Sequence, residues 1–430
     1  FSLKIRLIRR IYLCSVKKTN RFLRKKHLWA AFMLLPVCGT ARAERPDSLT
    51  NERLAQRVGT LETVVEKMKR LKVSGYIQTQ WQWNEEGLPE GEQNDFSIRR
   101  GRVKIAYDNR YGEAVFQLDA TEKGVRVRDA YLKLRAPRLP EVSLTAGIFN
   151  RPFGDEIAYS SAHRTSPERS RVFRTLFPKE RDLGAQLTVN GPGNTVLRNF
   201  KAEGGLFAGN GSESKETDSR KDFIGHLSYA GEYRRGTYGL GGSLYSGGVK
   251  LAGEQKGWRF RDGAWQEDPR MASGTYARRE YYGVDGRISV AGALGVTHIR
   301  GEYLWGMQPG AKNGSGSPTG AVTADLYMRR FSGYYVNLTQ DVGRSRHSLV
   351  VKYDAYDPNI RATGDECKTE GDVAFSTLGF GWIFRANENV KITAYYDRVW
   401  NEKVRNGFIS SGFGGDIRDD VFTLRVQYRF

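Results

Sequence analysis

The chain has 430 residues, of which 39% are hydrophobic and 12% aromatic, with 49 glycines and a formal net charge of +20. A mean hydropathy of −0.56, with no apolar run approaching about 18 residues after position 43, excludes a bundle of membrane-crossing helices. A polar chain of this length, rich in Gly, Tyr and Phe, points instead to many strands and turns with a large polar face.

Residues 1–43 carry eleven Lys or Arg and no acid. Lys25 and Lys26 lead into HLWAAFMLLPVCGTARA, a short apolar core that ends at Ala41-Arg42-Ala43. A basic start, a brief apolar segment and an A-x-A exit describe a cleavable secretory signal. A lipoprotein reading, with Leu35 three residues before Cys38, is disfavoured by the bulk of Val37. After residue 43 the remaining 57 basic residues exceed the 48 acidic ones by nine. Cys14 and Cys38 leave with the signal, so Cys367 stands alone, excluding an internal disulfide framework and a cysteine-rich metal site. A secreted chain without a spanning helix is either soluble or crosses a membrane as a closed barrel.

Residues 50–71, TNERLAQRVGTLETVVEKMKRL, read as a helix. Leu54, Val58, Leu61, Val65 and Met68 step by 4, 3, 4 and 3, the seam of a short coiled coil that calls for partner copies. Gly59 costs this helix about 1 kcal/mol. A helix packed on its own domain is the competing reading.

From Val73 onward only strands are expected. Val103, Ile105 and Tyr107 oppose Arg100, Arg102 and Lys104 on one strand. Leu349, Val351, Tyr353 and Ala355 oppose Lys352, Asp354 and Tyr356 on another. Ile299, Tyr303 and Trp305 oppose His298, Arg300 and Glu302, while Val142, Leu144, Ala146 and Ile148 oppose Ser143 and Thr145. Short turns fall at 108–112, 137–140, 190–194, 234–236, 291–295, 341–345 and 385–389. Between them lie long polar connections at 84–95, 151–182, 209–222, 247–276, 307–325, 357–372 and 402–420, with only 121–124 short. Connections that sort into a short end and a long end imply about 16 strands of an all-β, transmembrane antiparallel barrel, preceded by a short N-terminal coiled-coil helix. A soluble sandwich would not sort its loops this way, and it would turn its apolar faces inward.

The last strand states the environment most plainly. Phe422, Leu424, Val426, Tyr428 and Phe430 alternate with Thr423, Arg425, Gln427 and Arg429. An apolar face toward lipid and a polar face toward water satisfy this period of two, with every backbone group paired to a neighbouring strand. Phe430 resembles the closing signal by which barrel-insertion machinery reads outer-membrane proteins.

The series VSGYIQTQW (73–81), SIRRGRV (97–103), RDAYLKL (128–134), LTAGIFNRPFG (144–154) and ERSRVFRTLFPKERDLG (168–184) resembles the phosphate-selective porin O/P family. The similarity is densest over residues 73–190. It implies a passive outer-membrane porin of a Gram-negative bacterium, a homotrimer of 16-stranded barrels that passes phosphate-like inorganic anions. It also implies three segments: a signal over 1–43, a periplasmic coil over 44–72 and the barrel over 73–430. In the family an inward loop carries the anion-binding arginines, and by position that loop is 151–182. The residues so implied are Arg169, Arg171, Arg174 and Arg181 on the loop, with Arg100, Arg102 and Lys104 on the wall. Arg425 and Arg429 could add rungs. Asp155, Glu156, Glu168, Glu180 and Asp182 interleave with these cations. If they cancel the field, the alternative is a barrel for general diffusion or for binding through its surface loops.

The catalytic inventory is thin. There is no G-x-S-x-G, P-loop or H-E-x-x-H. His298 with Glu302 on one strand face is the nearest approach to an acid–base pair, and a hydrogen-bonded lumenal pair is the plainer reading. No catalytic residue, metal site or cofactor is expected. Basic and aromatic residues on a secreted barrel fit lipid headgroups better than nucleic acid.

Overall fold

The computed structural model describes residues 48–86, 93–216, 218–320, 322–409 and 411–430. The signal expected over 1–43, and the start of the segment expected over 44–72, lie outside the described residues. Helix α1 spans Ser48–Arg70. Its seam residues Leu54, Val58, Leu61, Val65 and Met68 are all exposed, at 46–67%. No described helix is long and apolar enough to cross a membrane.

Eighteen strands form one sheet among the described residues. The first nine are β1 (Leu71–Asn84), β2 (Asn94–Asn109), β3 (Gly112–Thr121), β4 (Gly124–Ala136), β5 (Leu139–Asn150), β6 (Arg181–Asn190), β7 (Phe200–Phe207), β8 (Asp222–Tyr233) and β9 (Gly236–Lys250). Then come β10 (Gly257–Arg261), β11 (Ala264–Glu267), β12 (Tyr276–Gly292), β13 (Gly295–Gly310), β14 (Leu326–Asp341), β15 (His347–Asp357), β16 (Phe375–Arg385), β17 (Val390–Asn401) and β18 (Val421–Arg429). Sixteen of these, all but β10 and β11, pair antiparallel around a closed ring. Tyr76↔Arg429 through Asn84↔Val421 close β1 on β18, and Phe430 exchanges 3.0 Å backbone hydrogen bonds with Gly75.

The two faces fall as the alternation requires. On β18, Leu424 and Val426 are 39% and 42% exposed on the outside, whereas Thr423, Arg425 and Gln427 are buried. Val103 and Ile105 on β2, Ile299 and Tyr303 on β13, and Leu349 and Val351 on β15 likewise face outward. Arg100, Arg102, Lys352 and Asp354 are buried on the opposite face. The outward apolar band is what hydrocarbon demands, and the closed ring leaves no unpaired sheet edge within it.

Two expectations about connections need correction. The turn expected over 190–194 runs to 199, because β7 begins only at Phe200. The connection over 247–276 is not irregular throughout, since it contains the β10–β11 hairpin. Asp262 (φ 49°) and Gly263 (φ 73°) make its two-residue turn, the Asp-Gly signal of a type I′ hairpin. β10 also runs parallel against β14, from Gly257↔Leu326 to Arg259↔Met328. The hairpin brings Phe260 and Trp265 onto Ala362, Cys367, Val373, Val404 and Ile409 of the later long loops. These loops therefore have a small core of their own.

Candidate functional site

The connection between β5 and β6 turns into the barrel. It carries two short helices, α2 (Gly154–Ala158) and α3 (Arg171–Leu176). Phe153, Ile157, Val172, Phe173, Leu176 and Phe177 from this loop pack on Phe207, Ile224, Tyr245, Tyr281, Leu304, Phe331, Tyr335 and Tyr356, which belong to β7–β9 and β12–β15. Apolar side chains on the lumenal face of half the wall thus give the loop somewhere to dock. Burying each large side chain is worth about 1.5–3 kcal/mol, so the contact holds the loop well inside. Gly154 makes the entry possible: its φ is +65°, and a Cβ there would lie 2.1 Å from Glu302 Oε2.

The far edge of the loop is polar and crosses to β1, β2, β17 and β18. Gln78 donates to the Ser161 carbonyl at 3.1 Å, and Gln427 to that of Ala162 at 3.1 Å. Lys391 Nζ reaches the carbonyls of Ala162 and Arg164 at 2.9 and 3.1 Å. Arg425 reaches that of Pro167 at 2.7 Å, and Arg102 reaches Ser161 Oγ at 3.0 Å.

Two loop carboxylates organise the cations around this edge. Glu168 accepts a two-pronged contact from Arg99, both at 2.7 Å, with Arg100 at 3.3 Å and Arg425 at 3.0 Å. Glu180 contacts Arg128, Arg181 at 2.9 Å and Arg169 at 3.5 Å. Asp129 takes Arg181 at 2.6 Å and Asp119 takes Arg102 at 3.0 Å. With Arg164 and Lys391 the belt sets nine cations against four carboxylates. Burial pushes the Glu168 carboxyl up, but Arg100, Arg99 and Arg425 overcome it and hold the group well below the usual carboxylate range. At Glu180, Arg169, Arg128 and Arg181 overcome burial in the same way.

Four of the residues expected from the sequence meet in this belt: Arg100, Arg102, Arg169 and Arg181. Arg169 also clips its own loop, donating to the carbonyls of Glu156 and Ile157 at 3.0 and 3.2 Å. Arg171 and Arg174 line a chamber of about 660 Å³ on the long-loop side, with Lys352, Asp354, Asp397 and Asp419. Arg171 lies over the Phe375 ring at 4.0 Å and 3.7 Å from Asp419. Arg174 is exposed and makes no ion pair among the described residues. Lys104 stands apart, in a chamber of about 370 Å³ toward the short turns, with Glu113, Lys133, Lys201, Glu203 and His226. Arg425 joins the belt, whereas Arg429 lies at the exposed rim, 3.5 Å from His163.

Sequence reading missed Arg99 and Arg128. Strand β2 shifts register opposite Gln78 and Thr79 and leaves Arg99 without a partner, and β4 does the same at Arg128 opposite Gln117 and Leu118. Each is a bulge, and each sends an extra arginine to the lumenal side against a strict period of two. Lys391 was also missed, although it alternates with outward Val390 and Ile392. His298 does not pair with Glu302: it contacts Ser289 at 2.8 Å and Asp341 at 3.4 Å. Glu302 instead accepts from the Glu156 amide at 2.5 Å and the Tyr335 hydroxyl at 2.7 Å.

Comparison with known proteins agrees with this geometry. The fold is similar to OmpF of Salmonella typhi, solved with daunomycin, at 14% identity and a TM-score of 0.53 over 84% of this chain and 97% of that one. It is similar to an anion-selective porin from Comamonas acidovorans at 11% identity and a TM-score of 0.50, covering 84% and 99%. The trimer form of OmpT from Vibrio cholerae gives 9% identity and a TM-score of 0.50, again over 84% and 99%. No curated protein matches the chain. The description "Phosphate-selective porin O and P" matches residues 67–339. With a closed barrel, an inward loop and an arginine belt in place, the chain belongs to the phosphate-selective porin O and P family, outer-membrane channels of Gram-negative bacteria.

Proposed function

We propose that this porin selects phosphate-like inorganic anions as they diffuse past the loop edge, and that the belt of nine cations and four carboxylates sets the preference. The charge imbalance carries this reading. A guanidinium keeps its charge and offers a fork of donors suited to phosphate oxygens. Opposite charges 4 Å apart gain about 1 kcal/mol in bulk water and about 4 kcal/mol near a protein surface. Arg171 and Arg174 in one chamber, the belt, and Lys104 in the other chamber supply successive weak sites, which conduction needs more than one tight site. Planar-bilayer recordings under a salt gradient test this. The expected result is an anion-selective reversal potential with chloride current reduced by added phosphate; cation selectivity would refute it.

The same reading assigns residues 1–43 to a removed signal and 44–70, up to the start of β1, to a periplasmic coil that joins three copies through the exposed seam of α1. It places the outward apolar band against outer-membrane lipid and gives Phe430 to the barrel-insertion machinery. Replacing Leu61 with Asp and measuring the mass of the detergent-solubilised assembly tests the coil, with a fall in trimer expected.

A second reading, binding through the surface loops, is favoured by one observation. The β10–β11 hairpin and the loops after β15 and β17 share a packed cluster. The loop after β15 is anchored to β14 by Arg329 and Asp372, a fully buried pair at 3.0 Å. On that reading, replacing Arg169, Arg171 and Arg174 together with Ala leaves function near normal.

A further inference from the structure

Arg164, at the tip of the inward loop, is 5% exposed. Its Nε, Nη1 and Nη2 are all buried without a hydrogen-bond partner. Arg164 lines a small cavity of about 10 Å³ together with Lys391, Arg425, Thr393, Gln427 and Ser166. Three cations therefore face one small space. Leaving a desolvated charge unpaired costs several kcal/mol, so a fold that keeps this arrangement has a counter-charge for it.

The nearby acids do not supply one. Glu168 is engaged by Arg99, Arg100 and Arg425. Glu156 is held by the Ser170 amide and hydroxyl and lies 3.5 Å from Lys352. Lys391 has spent two donors on the carbonyls of Ala162 and Arg164 and keeps a third. Burial, followed by the charges of Arg169 and Arg100, works against the ionised Arg164, and the pull of Glu168 and Glu156 does not offset them. A water molecule could accept hydrogen bonds here, but it would neutralise nothing.

We propose that this cavity binds a single resident halide ion, chloride under ordinary conditions, held by Arg164 with Lys391 and Arg425. Size sets this site apart from the permeation path: a space of about 10 Å³ is on the scale of one small particle, which favours a monatomic anion over phosphate and sulfate. The ion has a structural task. It joins the loop tip (Arg164) to β17 (Lys391) and β18 (Arg425), so it clamps the edge past which solute moves.

Two measurements on the full barrel in detergent test the site. In crystals grown from sodium gluconate and soaked with bromide, an anomalous peak is expected in contact with the Arg164 guanidinium. A water in that cavity, an Arg164 turned onto a carboxylate, or bromide bound only elsewhere as an adventitious ion overturns the proposal. In solution, at constant ionic strength, the unfolding midpoint is expected to rise as chloride replaces gluconate. Above saturation, each tenfold rise in chloride raises the folded-to-unfolded ratio tenfold. Arg164→Gln should remove that dependence and Lys391→Gln should weaken it. A wild-type midpoint indifferent to chloride overturns the proposal even if Arg164→Gln does not fold. Neither measurement reads ion selectivity, so failure here leaves the proposed function standing.

Discussion

Arg99 and Arg100 are neighbours on one strand, yet both reach Glu168, at 2.7 and 3.3 Å. The bulge in β2 makes this possible by turning Arg99 onto the face that Arg100 already occupies. The carboxylate therefore does two jobs: it pins the loop tip to the wall, and it subtracts charge from the belt. Glu168→Gln separates them. It removes one negative charge while keeping much of the hydrogen bonding, so the chloride-to-potassium permeability ratio should rise, as read by the reversal potential. It also leaves three arginines short of a counter-charge. The unfolding midpoint should fall, by less than the ~3–5 kcal/mol typical of breaking a fully buried pair, because Glu168 and Arg99 are only partly buried. An unchanged ratio would show that the passage does not sense this belt.

The carboxylates of the belt also fix its response to acid. The folded pKa values of Glu168 and Glu180 are depressed, by Arg100, Arg99 and Arg425 in one case and by Arg169, Arg128 and Arg181 in the other. Stability from such groups is present above the unfolded value of about 4.3 and is lost as pH falls through the lower folded value. The share of selectivity and of the unfolding midpoint that depends on these two carboxylates should therefore stay level from neutral pH down to about 4.3 and change only below that. Below it, protonation adds net positive charge, so anion preference should rise as stability drops. A transition centred near pH 6 that Glu168→Gln abolishes would contradict the arrangement around Glu168.

Not every arginine in the lumen should matter in the same way. Arg174 is exposed in the upper chamber without an ion pair among the described residues. Arg174→Glu should lower anion conductance while changing stability by no more than about 0.5 kcal/mol. Arg181 is buried between Asp129 and Glu180. Arg181→Ala strands Asp129 and takes one of three cations from Glu180, and the expected outcome is loss of folded barrel in a heat-modifiability gel before any conductance can be read.

The contrast between Arg174 and Arg181 also marks how far the sequence could be read. Alternation depends only on the pleat and the two solvents, so Leu424 out and Arg425 in, the strand count, and the sorting of short and long connections were all legible. A bulge breaks the period that such reading relies on, so Arg99 and Arg128 were hidden. The β10–β11 hairpin did carry a signal, Asp262-Gly263, inside a stretch that otherwise looked like loop. What an arginine touches was not legible, because Glu168 meets Arg425 across 257 positions. Loop composition gives charges, and only the closed ring decides which of them pair.

The direction of the loop was implied only by the family resemblance and was hidden in the residues themselves, since it depends on aromatic side chains scattered over β7–β15. Phe173 is fully buried and packs on Tyr335, with ring centroids 6.3 Å apart. Phe173→Ala opens a cavity in this docking surface, and such changes cost about 3–5 kcal/mol when the surroundings cannot collapse. The barrel ladder does not depend on this residue, so the loss falls on the loop and not on the wall. The expected result is a barrel that still inserts, with larger and noisier single-channel currents and weaker block by phosphate. The polar edge adds a check: its contacts with Gln78, Lys391 and Gln427 remain, so the loop should loosen at α3 while its tip stays held. Limited proteolysis that cuts near Arg171 or Arg174 in the variant but not in wild type would show this, whereas unchanged currents would mean that the polar edge alone keeps the loop in place.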